Sequence, residues 1–209
     1  AKMKAIKESK GDAALYVETN HVFIKSFGWE IPSHIKEEEI GVIILKRAPE
    51  KIVNSHMRIG ATPLHHKGHS WIITPLAKRN HAPFPDRFPL QKFRYYFYYF
   101  LVQTIFAPPL MKIWKGDDAA KPAFIRNYEE RMLYWYIEEL NARTRLFMKK
   151  HPGIRFFECD IEELNEIGTL EKILKAFDLP LKIHDSVHRL FNKRTNLDPY
   201  GGRKKEESQ

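Results

Sequence analysis

The spacing of apolar and polar residues divides the chain into short β-prone runs and helical stretches. Gly41–Leu45 (GVIIL) is an unbroken apolar run rich in β-branched residues, which predicts a strand buried on both faces, as in a parallel sheet covered by helices. Lys46-Arg47 follow, and Pro49 then suits the first turn of a helix, where its missing N–H costs nothing. Glu50 complements the positive start of that helix, which the pattern carries to near Ile59-Gly60. Upstream, Ala13–Thr19 (AALYVET) predicts an earlier strand ending at Asn20-His21, and Val22–Phe27 a partly apolar helix broken near Gly28 and Pro32. Further on, Met132, Leu133, Tyr136, Ile137, Leu140, Leu146 and Phe147 recur at helical spacing and predict a long helix over 127–150. His151-Pro152-Gly153 ends it. A second short strand is expected over 154–159, then a capping pattern from Asp160 (DIEEL) and an amphipathic helix over 169–177.

Two stretches break this rhythm. Residues 61–91 carry Pro63, Pro75, Pro83, Pro85 and Pro89, which prevent long regular elements and point to a functional loop or lid. Residues 92–114 are the most apolar part of the chain, but the charge-free portion 95–107 is too short to span a bilayer and is stopped by Pro108-Pro109. A buried helix is expected here, with membrane contact through 95–106 or an acceptor-binding surface as the alternative. Gly116–Pro122 reads as a linker, and 192–209 as a basic, turn-rich tail.

At 209 residues one α/β domain is the natural expectation. A net charge of +9 favours an anionic partner: a nucleotide, a sulfated or phosphorylated molecule, nucleic acid or a membrane surface. Cys159 is the single cysteine, so there is no intrachain disulfide framework, and no apolar leader is visible. A cytoplasmic location is expected.

Candidate chemistry concentrates at the carboxyl ends of the two early strands, where open α/β sheets bind ligands. Arg47 offers a forked cation for a phosphate, and Ser55, nearly two turns into the helix, a hydroxyl donor. An arginine in a solvated turn and a serine on a polar face is the competing reading. His21 stands just past the first expected strand, where an imidazole suits a general base; Glu18 is a second candidate. His65, His66 and His69 invite a zinc reading, but adjacent histidines point apart and no nearby cysteine or carboxylate completes a set. No metal site is expected. These three histidines and Trp71 are instead candidate substrate contacts, against the alternative of a solvated loop with Trp71 tucked onto the core.

The order Leu45, Arg47, Pro49, Val53, Ser55 resembles the 3′-phosphate-binding segment of the P-loop sulfotransferases, where an arginine at a strand end is followed eight residues later by a helical serine. The run Glu18-Thr19-Asn20-His21 is similar to the position of that family's catalytic histidine, with glutamate as base in some members. The long helix, Pro-Gly turn, arginine-aromatic strand, acidic turn and short helix follow in the family's order, so the resemblance covers roughly 13–180. It implies transfer of a sulfuryl group from 3′-phosphoadenosine 5′-phosphosulfate (PAPS) to a hydroxyl or amine acceptor, a small molecule or glycan. It assigns Arg47 and Ser55 to the 3′-phosphate and His21 or Glu18 to the base. A late basic-glycine segment touches the same phosphate in the family; Arg203 and Lys204 are similar in composition, and Asn192–Asn196 (NKRTN) is an equal alternative.

Residues 1–40 contain neither an R-S-G-T/S-T run nor GxxxxGK[ST]. The fold the resemblance implies is therefore the three-layer P-loop-type parallel sheet flanked by helices, lacking its N-terminal strand–P-loop unit. Two rivals remain: a non-enzymatic basic module binding nucleic acid or anionic membrane, and an inactive relative keeping the nucleotide site alone. Against nucleic acid, the aromatics between Tyr95 and Phe106 form one apolar block instead of alternating with Lys and Arg.

Overall fold

A 28-residue helix over Ala123–Lys150 is the spine of the larger part of the chain. The computed structural model describes residues 2–10, 15–84, 90–106 and 122–180, with 183, 184 and 187. The protein is mixed α/β and divides into two compact units: a helical unit of residues 1–40 and 48–154, and a strand unit of 41–47 and 155–209. The helical unit holds α1 (Lys2–Lys10), a 3-10 segment Phe27–Ser33, α2 (Pro49–Arg58), α3 (His66–Trp71), α4 (Gln91–Phe100) with a π-helical continuation Leu101–Phe106, and α5 (Ala123–Lys150). The strand unit holds β1 (Gly41–Lys46), β2 (Arg155–Asp160), a 3-10 turn Glu163–Asn165 and α6 (Ile167–Ala176).

The periodic apolar positions of α5 become the core. Ile125, Tyr128, Met132, Leu133, Trp135, Tyr136 and Ile137 are buried and pack with Val53 of α2, Leu64, Ile72, Ile73, Ala82, Tyr95 and Val102. Toward its end Phe147 is clasped edge-on by Phe23 and Trp29, with centroids 5.6 and 5.2 Å away. Lys149 and Lys150 close the last turn, where cations suit the helix dipole. α2 starts with Pro49 as expected and stops where Gly60 takes a φ of 66°, a left-handed turn that favours glycine.

The proline-rich stretch after α2 is largely built into this core. Ala61–Leu64 and Ile72–Pro75 are buried. Its far end is fastened by Glu139 of α5, a fully buried carboxylate. Glu139 Oε2 accepts from the main-chain N–H of His81 (2.6 Å) and Ala82 (2.7 Å), and Oε1 from Arg143 Nε (2.7 Å). Arg143 Nη2 also donates to the Arg79 carbonyl, and Phe84 stacks on Trp135 at 4.6 Å. Prolines forbid long regular elements but not burial, because charged side chains on α5, Glu139 as acceptor and Arg143 as donor, satisfy the irregular backbone.

α4 buries Tyr95 but exposes Phe93, Tyr96, Phe97 and Phe100 at three- and four-residue spacing, so the expected buried helix is buried on one side. Among the described residues no helix is long and apolar enough to cross a membrane.

In the strand unit β1 and β2 pair in parallel, from Gly41 with Arg155 to Lys46 with Asp160. The sheet has two strands among the described residues. β1 is therefore not buried on both faces as its sequence predicts; Ile43 and Leu45 are 41% and 48% exposed. The earlier strand expected over 13–19 also differs. Residues 15–20 form none, and Leu15 and Val17 lie exposed. A β-prone run becomes a strand when another strand completes its ladder. Here Tyr16 and Asn20 instead hydrogen-bond the Glu18 carboxylate (2.9 and 2.8 Å). The helix expected from Val22 is a set of turns passing into the 3-10 segment, where Gly28 packs so close to Phe23 that a Cβ would lie 2.7 Å from its carbonyl oxygen.

Candidate functional site

Arg47 stands one residue beyond the end of β1 and two before the start of α2. Within the strand unit its guanidinium Nε lies 4.0 Å from Glu162 Oε1, both side chains being substantially exposed. At that separation the two charges attract without forming a hydrogen bond. The acidic turn folds back on the same end of the sheet. Ile161 N–H donates to the Lys46 carbonyl (2.9 Å), Asp160 N–H to Glu163 Oε2 (2.9 Å), and Lys46 pairs with Glu158. That pairing raises the Lys46 pKa, whereas burial, then Glu163 and Asp160, push the Cys159 thiol up. This end of the sheet carries charges of both signs, with Arg47 outermost in the link. Ser55 is the seventh residue of α2, half-buried, in the helical unit.

The helical unit assembles a second group of polar side chains. Asn20 Oδ1 accepts from Val22 N–H at 2.8 Å and turns the chain, leaving His21 exposed at the turn's start. His21 lies against Trp71, with ring centroids 6.3 Å apart, so the expected base and one expected substrate contact are neighbours. Glu18 is engaged by Tyr16 and Asn20 and braces this approach. From the same turn Lys25 Nζ donates to the Trp71 carbonyl (2.6 Å) and to Tyr136 Oη (2.9 Å). Burial lowers the Lys25 pKa to about 8 and pushes Tyr136 up to about 12. His56 of α2 packs edge-on against the Tyr136 ring, and its Nδ1 lies 3.0 Å from the Ala61 carbonyl oxygen. A carbonyl accepts only, so Nδ1 is the donor of this contact.

The three loop histidines separate. His69 is a core partner: its Nδ1 meets Tyr95 Oη at 2.7 Å, while Tyr95 donates to the Pro63 carbonyl at 2.6 Å. Tyr99 packs on its ring at 4.8 Å, and burial lowers the His69 pKa. His65 is half-buried ahead of α3, and His66 opens that helix, its side chain outside the described residues. Among the described residues no group of three His, Cys, Asp or Glu is placed to hold a metal. Arg203 and Lys204, the 192–209 tail and Asn192–Asn196 lie outside the described residues.

Lys25, Tyr136 and His56 were not legible as site residues. Lys25 reads as an incidental charge in an apolar turn and Tyr136 as one more core position of a long helix. Their meeting joins positions 111 apart in the chain, a separation no local pattern signals. Compared with known proteins, the chain matches no family model, no curated protein and no solved structure.

Proposed function

We propose that the chain is a sulfotransferase-like protein that moves a sulfuryl group from PAPS to a hydroxyl or amine acceptor, with its two strands belonging to a three-layer, P-loop-type sheet. The observation that carries this reading is the order of elements around Arg47. β1 stops at Lys46, Arg47 is exposed immediately after it, α2 opens at Pro49, and Ser55 follows as its seventh residue. A parallel β2, an acidic turn and α6 complete the order that the resemblance requires.

The residues suit the nucleotide. A phosphate dianion favours a planar, forked cation, and Arg47 meets its Glu162 neighbour at 4.0 Å, so a phosphate oxygen at hydrogen-bonding distance competes well for the guanidinium. Ser55 adds a hydroxyl donor, and Arg203 and Lys204 are the proposed late basic contacts. PAPS, as cosubstrate, supplies the sulfuryl group and leaves as 3′-phosphoadenosine 5′-phosphate. His21 takes the proton the acceptor loses, Glu18 and Asn20 hold the turn that presents it, and Trp71 offers the acceptor an aromatic face beside it.

Calorimetric titration with 3′-phosphoadenosine 5′-phosphate tests the reading. The unaltered chain is expected to bind, and Arg47→Ala to weaken binding at least about tenfold, the worth of a lost charge-assisted hydrogen bond. Equal binding by both proteins, or none by the unaltered chain, overturns it.

A further inference from the structure

Lys25 is a half-buried cation with a donor to spare. An ammonium carries three N–H donors. The Trp71 carbonyl and Tyr136 Oη take two of them. Tyr136 accepts from Lys25 through its oxygen, so its own O–H points elsewhere, and among the described residues neither group has a further hydrogen bond. Among them no carboxylate pairs with Lys25 either. Burial lowers its pKa. Tyr136 itself is 5% exposed.

Two polar atoms 2.9 Å apart, one of them charged, therefore each keep a donor that no acceptor among the described residues takes. A neutral ligand oxygen would satisfy the hydrogen bonds but leave a partly desolvated charge unbalanced, which is costly. An anionic oxygen answers both needs. We infer that Lys25 Nζ and Tyr136 Oη form a binding subsite for an anionic oxygen group of the carboxylate or sulfate class, with His21 and Trp71 on one side and His56 behind the phenol. The subsite stands on its own geometry. It deepens the sulfuryl-transfer reading where the anion is a sulfuryl oxygen or an acidic group of the acceptor.

The full chain, with ¹³C-labelled lysine, is titrated by NMR through the Lys25 midpoint in chloride, and again in sulfate and in acetate at matched ionic strength. Tyr136, His56, which packs on it, and His21, which lies against Trp71, are followed alongside. Saturable binding is expected to raise the Lys25 midpoint by roughly one pH unit or more, since an opposite charge within a few ångströms shifts a pKa by that order. Tyr136→Phe, which keeps the ring and removes one donor, is expected to weaken the response. A midpoint that moves with neither anion, or a response unchanged in Tyr136→Phe, overturns the inference. Arg47→Ala separates the two readings. If Lys25 responds in that variant while the unaltered chain fails to bind 3′-phosphoadenosine 5′-phosphate, the anion subsite stands and the sulfotransferase reading falls.

Discussion

Glu139 gives the sharpest test of how the irregular chain beyond α3 is held. Glu139→Gln changes neither size nor shape but leaves one acceptor oxygen where there were two. If the amide oxygen serves His81 and Ala82, the NH2 group faces Arg143 Nε, donor against donor, and a guanidinium 13% exposed loses its acceptor. The lost charge-assisted bond is worth about 1.5–3 kcal/mol, and weakening two charged bonds to neutral ones adds about 1 kcal/mol. A total near 3 kcal/mol corresponds to a Tm lower by about 6–12 °C for a chain of this length. Thermal melts followed by circular dichroism read the global effect. Hydrogen exchange at Ala82 reads the local one, and its protection should fall with the clasp. In an Arg143→Met background the same substitution should cost less, because the two residues act on one network. A Tm within about 2 °C of the unaltered chain, with Ala82 exchange unchanged, would refute the reasoning.

Two further outcomes follow from single contacts. Glu37 accepts from His151 Nδ1 (2.8 Å) and Gly153 N–H (2.9 Å), and these bonds, His151 first, hold its carboxyl below the ordinary 4.5. A depressed carboxyl adds stability above 4.5 that is lost as pH falls through its folded value, so Glu37→Gln should lower stability at neutral pH and flatten the fall below 4.5; an acid limb parallel to the unaltered chain's in urea titrations argues against it. Gly60 has a left-handed φ and open space where a Cβ would stand. Gly60→Ala should therefore cost about 1 kcal/mol through the backbone alone, lowering Tm by about 2–4 °C, and a neutral or raised Tm contradicts this.

The elements legible in the sequence are those whose signal is local. Pro49 and Glu50 announce the start of α2, the apolar repeat from Met132 to Phe147 announces α5, and the β-branched run at Gly41 announces β1. What fails is what depends on a neighbour far along the chain. Leu15 and Val17 have strand propensity but join no ladder among the described residues, and Ile43 and Leu45, though apolar, stay exposed. Glu139 reads as one more polar position on an amphipathic helix, yet it is buried, because its ligands are main-chain N–H groups some 58 residues upstream. The site divides in the same way. Arg47 is singled out by the end of β1, which forms, and His21 by the end of a strand that does not; the Lys25–Tyr136 pair is visible only in three dimensions.

The pairing of β1 with β2 has a consequence for how the protein acquires its structure. Partners Gly41 and Arg155 are separated by the whole of the chain from 48 to 154. Closing a flexible loop of about 110 residues costs roughly 4 kcal/mol in chain entropy, and one pair of six-residue strands returns little until it is closed. Contacts of such long range slow folding. The helical unit, whose helices close their hydrogen bonds locally, should collapse first, and the strand pair that sets Arg47 at its tip should be the last element to lock and the first to open under denaturant.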